Sequence, residues 1–426
     1  MQTSDASNFF RSEADLIAED ARAQKAAKTK NLGNPIELKG KVIRLAILDG
    51  DAWTAESGGV VRRVNLVTRK SLQVFKGHTG PVTCLAFFPV GGKTLLLSGS
   101  WDQTIRAWDA ETGALVSTTK AHSDFLKTLL VIPQLNLLVS GSSDKHIKLW
   151  DLTTLTTPSP TSLPQIGSST GHTRPVECIV ADPTQPITAT RVYSADSMGV
   201  IKVWSVETHP APTESRRLTL LGEMKSHTMG ITDMWAAYGR VWSSSTDDTV
   251  RVQSLDNSAN PISIPHSVHV KSLMPVHLTP AAAPVLLTGG SDGAIRVWDL
   301  QDADDASTID GREASAGGVI DVHSHDVSAL ALWVRDPAAE KDKETEDEIK
   351  PVKQVEAWIV SASLDGTLRR WKLQDLVDGK HNTVSVQTST PTVTTAPATQ
   401  PSSNQQFAMS EEEERELAEL MSDEDL

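Results

Sequence analysis

The sequence predicts an all-β protein built by repeating one strand–turn–strand unit, and three observations carry that expectation. Leu95 to Asp109 (LLLSGSWDQTIRAWD) reads as two short strands about a tight turn. Leu95 to Ser98 is apolar and β-prone, Ser100, Asp102 and Gln103 supply turn chemistry, and Ile105 to Trp108 alternates again. The unit recurs at Leu137 to Asp151, Val285 to Asp299 and Trp358 to Leu373, with weaker copies at Val192 to Ser205 and Val241 to Ser254. The spacing is long and regular: Trp108 and Trp150 are 42 residues apart, Trp150 and Trp204 are 54, and Gln253 and Trp298 are 45. Such periods mark arrays of one supersecondary unit.

The early Gly77-His78 and Gly171-His172 pairs and the late Trp108-Asp109, Trp150-Asp151 and Trp298-Asp299 pairs resemble the WD40-repeat family over roughly Pro35 to Leu373. The resemblance implies a seven-bladed WD40 β-propeller. Its blades end near Gly77, Ala121, Gly171, Ser226, Pro265, Val322 and Leu373. The last repeat has only three strands of its own, so Pro35 to Gly40 (PIELKG), through Ile36 to Leu38, is expected to supply the fourth and remove an open sheet edge. The domain order expected is a helical or mobile extension over 1–34, the propeller over 35–373, a Ser/Thr/Pro/Gln-rich linker over 374–406, and an acidic, helix-prone tail over 407–426.

In the extension, Ser12 can cap an Ala-rich helix ended by Asn31-Leu32-Gly33, and Leu16, Ile17 and Ala21 give it only a thin apolar face. The expectation leans towards a mobile segment. Blade one lacks the signature, with Leu38 at the His position and Arg63 about where Trp belongs. Insertions at Thr153 to Ser169, Thr208 to Arg217, Gln301 to Gly317 and Asp336 to Gln354 should all leave from one face, the bottom, so that the top keeps short loops. Beyond a disordered linker, Ser410 with Glu413 makes a capping box, and Leu417, Leu420 and Met421 form an apolar stripe that could bind a partner groove.

Charge and cysteines narrow the function. Of the net −14, −8 sits in Ser410 to Leu426 (nine acidic residues against one Arg), leaving −6 and no basic stripe for direct nucleic-acid binding. The chain has no apolar run of roughly 18 residues for a membrane span and no secretory leader pattern, which points to cytoplasm or nucleus. Cys84 and Cys178 hold the same repeat position in blades two and four and are expected to be unpaired, buried thiols.

Each strong repeat carries His, Ser or Thr, Asp and Trp: His78, Ser98, Asp102, Trp108; His122, Ser140, Asp144, Trp150; His266, Thr288, Asp292, Trp298; and His323, Ser361, Asp365, Trp371. The residue types fit a hydrolase triad, but a catalytic constellation is needed once and this one recurs. The resemblance implies a structural relay of hydrogen bonds instead. Blade four has Met198 at the Asp position and blade five has Gln253 at the Trp position, so both blades, like blade one, are expected to be held less firmly or by other contacts. His266, His269 and His277 cluster too loosely for a metal site, and no cofactor motif is present. The positions just before the turn Asp are Ser143, Thr246 and Ser291 in three blades but Trp101 and Leu364 in two others. With Phe125 and Met229 in the entering loops, they suggest a top-face patch for partner proteins or short peptides. The expected function is a non-enzymatic scaffold in a multiprotein complex. The alternative is a ubiquitin-pathway or substrate-recognition adaptor, and a hydrolase ranks last.

Overall fold

The computed structural model describes residues 13–156, 162–186, 189–208, 216–254, 262–300, 316–335 and 356–382. Within them the strands pair into seven four-stranded antiparallel sheets. Six are continuous in sequence: Val42–Lys76, Val82–Lys120, Leu126–Ser169, Val176–Lys225, Ile231–Pro265 and Val270–Asp321. The seventh combines Val327–Lys372 with Ile36–Glu37. The first strand of every sheet touches the first strands of both neighbours, so the seven blades close into a ring about a central channel. The fold is a seven-bladed β-propeller.

Small residues let the ring close. The second strand of each blade carries Ala55, Gly99, Gly141, Ala195, Ser244, Gly289 or Ala362 at one register position, opposite an apolar partner on the third strand. At Gly99 the space a Cβ would need is taken by Leu126 of the next blade and by Cys84. Apolar layers between blades, such as the one joining Leu97 and Ile105 to Leu126 and Leu138, are continuous across these contacts. Hydroxyls then tie neighbouring inner strands together: Thr83 donates to the Leu126 carbonyl (2.6 Å), Thr232 to Val270 (2.7 Å), Ser272 to Val327 (2.9 Å) and Ser328 to Val42 (2.7 Å).

Ile36 and Glu37 pair with Leu368 and Thr367, giving the last blade its outer strand. The leaning towards a mobile N-terminal segment is corrected. The helix Glu13–Lys28 is mostly exposed, but its C-terminal end is fixed. In the turn just beyond the helix, the carbonyls of Thr29 and Leu32 each accept from the buried Arg369 guanidinium at 2.6 Å. Lys25 pairs with Asp321, and the Arg370 amide donates to Gly33 O (2.7 Å). The boundary at Leu373 also moves. Leu373–Val377 is a short helix whose Leu373 and Leu376 are buried, so packed chain continues into the span expected as linker.

The strand ends that flank the four insertions lie at one end of the blades. Three join third to fourth strands and one joins the first two strands of blade seven. Their margins are strand: Gln165–Ser169, Thr208 and Arg216–Arg217 lie in ladders rather than loops. The charged 336–354 insertion and the 407–426 tail, with Leu417, Leu420 and Met421, lie outside the described residues.

Candidate functional site

The relay groups assemble at the top of the blades. In blade two the His78 Nδ1–H faces Asp102 (2.8 Å), His78 Nε2 meets Ser98 Oγ (2.8 Å), and the Trp108 indole donates to the same Oγ (2.9 Å). Blade three repeats this with His122, Asp144, Ser140 and Trp150, and blade seven with His323, Asp365, Ser361 and Trp371. With a neutral ring, every proton has one acceptor: indole to hydroxyl, hydroxyl to Nε2, Nδ1–H to carboxylate. Burial alone would raise Asp102 and Asp365, but the hydrogen bonds from their His and Thr partners outweigh it and hold both well below the usual carboxylate range. Burial lowers His122 and His323 against the attraction of their Asp partners, which keeps the rings neutral. Ser98, Ser140 and Ser361 have no exposed surface, so no substrate carbonyl can reach these hydroxyls.

Three blades differ from the sequence expectation. In blade six Asp292 does not reach His266. It turns to Arg296 (2.6 Å) and is 34% exposed, whereas the other relay carboxylates are nearly covered. His266 instead faces the Ile264 carbonyl and Thr288, and burial pushes it down to about 4. In blade four the gap at Met198 is filled from two residues earlier: Asp196 meets His172 Nδ1 (3.2 Å), and Ser194 and Trp204 complete the chain. Blade four is thus held by another contact, from Asp196. In blade one the register puts Val64, not Arg63, at the Trp position, since Val64 faces Ala52 as Trp108 faces Leu96. Asp196→Ala should cost about 1–3 kcal/mol by leaving His172 without its acceptor. Met198→Ala, at a half-exposed side chain, should stay within about 0.5 kcal/mol. Urea midpoints measure both, and equal losses would contradict the assignment.

The channel mouth is built by a feature the sequence reading missed. The first strand of every blade has a β-bulge after its first residue. A bulge breaks the alternation of side chains and re-aims one residue. The re-aimed residues are Ile43, Thr83, Lys127, Glu177, Thr232, Lys271 and Ser328, and all seven line one cavity of about 420 Å³. Each stands five residues after the His position, Leu38 in blade one, so a fixed offset would have found them. Below them Arg44 of blade one crosses to Asp233 of blade five (3.3 Å). Burial raises the Asp233 carboxyl despite the attraction of Arg44. Cys84 and Cys178 are free, buried thiols beside a deeper pocket of about 180 Å³, and burial pushes both up to about 12.

Of the expected patch, Trp101 and Phe125 lie together. Their rings stack at 4.8 Å with 21° between planes, and 39% and 43% of their surfaces remain exposed. Trp101 and Leu364 also line the cavity, where Leu364 is half-buried. Met229 is exposed and precedes Gly230, which lines the cavity beside Ser197. Met198, next to Ser197, is likewise exposed, and the sequence reading did not assign it to the patch. Among the described residues no group of three or more His, Cys, Asp or Glu side chains could hold a metal ion, and no helix is long and apolar enough to cross a membrane.

Comparison with known proteins agrees with this architecture. The family profile "WD domain, G-beta repeat" matches residues 69–109, 113–151 and 266–299. An uncharacterized WD repeat-containing protein of Schizosaccharomyces pombe is 26% identical over 398 residues, covering 89% of this chain and 92% of that protein. The ribosome biogenesis protein YTM1 of Ajellomyces capsulatus is 37% identical over 146 residues, 34% of this chain and 27% of that protein. U3 small nucleolar RNA-associated protein 15 of Schizosaccharomyces pombe is 37% identical over 82 residues, 19% and 15% of the two chains. The latter two thus match over a minor part of their own lengths. Proteins of this fold are typically interaction platforms rather than enzymes. With matching repeats on a closed ring of seven blades, the chain carries WD40 repeats within a seven-bladed propeller.

Proposed function

We propose that this chain is a non-enzymatic scaffold of the nucleus or cytoplasm that holds partner proteins against its top face, without direct contact to nucleic acid or membrane. The observation that carries the reading is the exposed Trp101–Phe125 stack at the rim of the channel cavity. Two large aromatic rings left in solvent on a short-looped surface lose the benefit of burial unless a partner covers them. Among the described residues the recurring Ser–His–Asp sets of blades two, three and seven are enclosed and spent on the blade, which favours a non-catalytic role. Relatives named for ribosome biogenesis and for association with U3 small nucleolar RNA fit a role in multiprotein assemblies. We also assign the tail a secondary docking role through Leu417, Leu420 and Met421, which a chain ending at Gln406 would lose.

Replacing Trp101 and Phe125 together by Ala should remove at least one major co-purifying protein, since each such anchor often contributes about 2 kcal/mol or more. Quantitative mass spectrometry of co-purified material reads the loss. The circular dichroism spectrum and thermal midpoint should stay near those of the parent. A double variant that unfolds would mark the rings as core and end this reading.

A further inference from the structure

Arg370 puts a charge into a column that is elsewhere apolar or paired. The residue before the Trp position on the third strand is Ala107, Leu149, Val203, Val252 or Val297 in five blades, all buried. Blade one has Arg63 there, and Asp51 meets its guanidinium at 2.7 Å. Blade seven has Arg370, 8% exposed, and no carboxylate bonds to it among the described residues. Its Nη1 donates to the Leu66 carbonyl of blade one, and its Nε is enclosed without an acceptor. Burial lowers this guanidinium, and the positive charges of Arg69 and Arg335 lower it further. Buried charges are ordinarily paired, because desolvation is costly. Arg69 belongs to the 66–70 turn that Arg370 reaches. Its exposed side chain has one hydrogen bond among the described residues, at 3.5 Å to Asn34 Oδ1.

We propose that Arg69 and Arg370 form a phosphate site at the seam between blades one and seven, taking a phosphorylated serine or threonine of a partner protein. The charges match. A phosphate monoester carries about −1.5 to −2 at neutral pH and three acceptor oxygens, enough to engage both guanidinium groups at once. A carboxylate brings one charge and would leave one of the two arginines uncompensated. The planar fork of Arg suits phosphate oxygens, which it can meet through two parallel N–H bonds. Val67, 39% exposed in the same turn, offers apolar surface to the chain that carries the phosphate. The 66–70 turn follows the third strand of blade one, whereas the relay Asp residues precede the third strands of their blades. The site therefore lies at the opposite end of the blades from Trp101 and Phe125, and it does not depend on the top-face reading.

Fluorescence polarisation of the full-length chain with degenerate nonapeptides provides the test, one mixture carrying a central phosphoserine and the other a central serine. The phosphorylated mixture should bind about tenfold or more tighter. Arg69→Gln, at an exposed side chain, should weaken that mixture about threefold or more. Arg370→Leu gives blade seven the residue that blade three carries in the same column. It should erase the difference between the mixtures while the thermal midpoint stays near that of the parent. Inorganic phosphate should displace the phosphorylated mixture from the parent at concentrations where chloride of equal ionic strength does not. If Arg370→Leu unfolds, the Arg69→Gln comparison decides alone. Equal binding of the two mixtures to the parent, or a preference undiminished in every folded variant, would overturn the site. Inorganic phosphate that raises the midpoint of the parent but not of Arg69→Gln, with neither mixture bound, would overturn the protein-borne source and make free phosphate the ligand.

Discussion

A chain lacking residues 1–41 is expected to lose the closed propeller altogether, while one lacking only 1–12 should melt with the parent. The longer deletion removes Ile36 and Glu37, whose partners Leu368 and Thr367 would then face solvent along an open edge in the last blade. It also exposes Leu368 and Trp371, both now buried. An intermediate deletion of 1–34 separates strand from anchor. It keeps the short strand but removes Thr29 and Leu32, the acceptors of the buried Arg369. Bonds to a charged group contribute about 1.5–3 kcal/mol each, and an unpaired buried guanidinium adds its own desolvation cost. The expected order of thermal midpoints is therefore parent, then 1–34 deletion well below it, then 1–41 deletion with no cooperative transition. Equal midpoints for the parent and the 1–34 deletion would show that the anchor contributes nothing.

How far this structure is legible in the sequence depends on whether a feature repeats. His78, Ser98, Asp102 and Trp108 can be read because their offsets recur, and the ring needs the same bonds in most blades. Asp196 escapes such a reading. Its place in the motif belongs to a small hydroxyl residue in other blades, Ser100 and Ser142 among them, yet a longer side chain there reaches the same histidine. Asp292 shows the converse, since the right residue in the right column is drawn off by Arg296 four positions on. The bulge residues are hidden by an assumption of strict alternation, which assigns Thr83 and Cys84 to opposite faces. The Arg44–Asp233 pair spans 189 residues and exists only once the ring closes, so no local pattern contains it. Trp101 stands out for a different reason: it interrupts a column of small polar residues, and its ring stacks on that of Phe125 from the loop entering the next blade.

Gly99→Val tests the inter-blade contact itself and should be the most damaging single substitution among those considered. In isolation the change would favour a strand, because Gly loses about 0.5–1 kcal/mol relative to Ala in a strand interior. The packing overrides that gain. A Cβ at Gly99 would lie 1.9 Å from Leu126 Cδ2 and 2.6 Å from Cys84 Sγ, and Leu126 is completely buried between blades. Valine adds two further methyl groups to that space. Overpacking of a filled core costs about 1–3 kcal/mol and occasionally more, and here the inner strand of the adjacent blade must also shift. Movement there would disturb the Thr83 bond to the Leu126 carbonyl, one of the links that hold the ring. The expected loss is about 3 kcal/mol or more. Gly58→Ala is the control, since nothing lies within 4 Å of a Cβ there, and its effect should stay within about 0.5 kcal/mol. Urea unfolding of the three chains decides the matter: a Gly99→Val midpoint as high as that of Gly58→Ala would mean that the blades can part at this seam without cost.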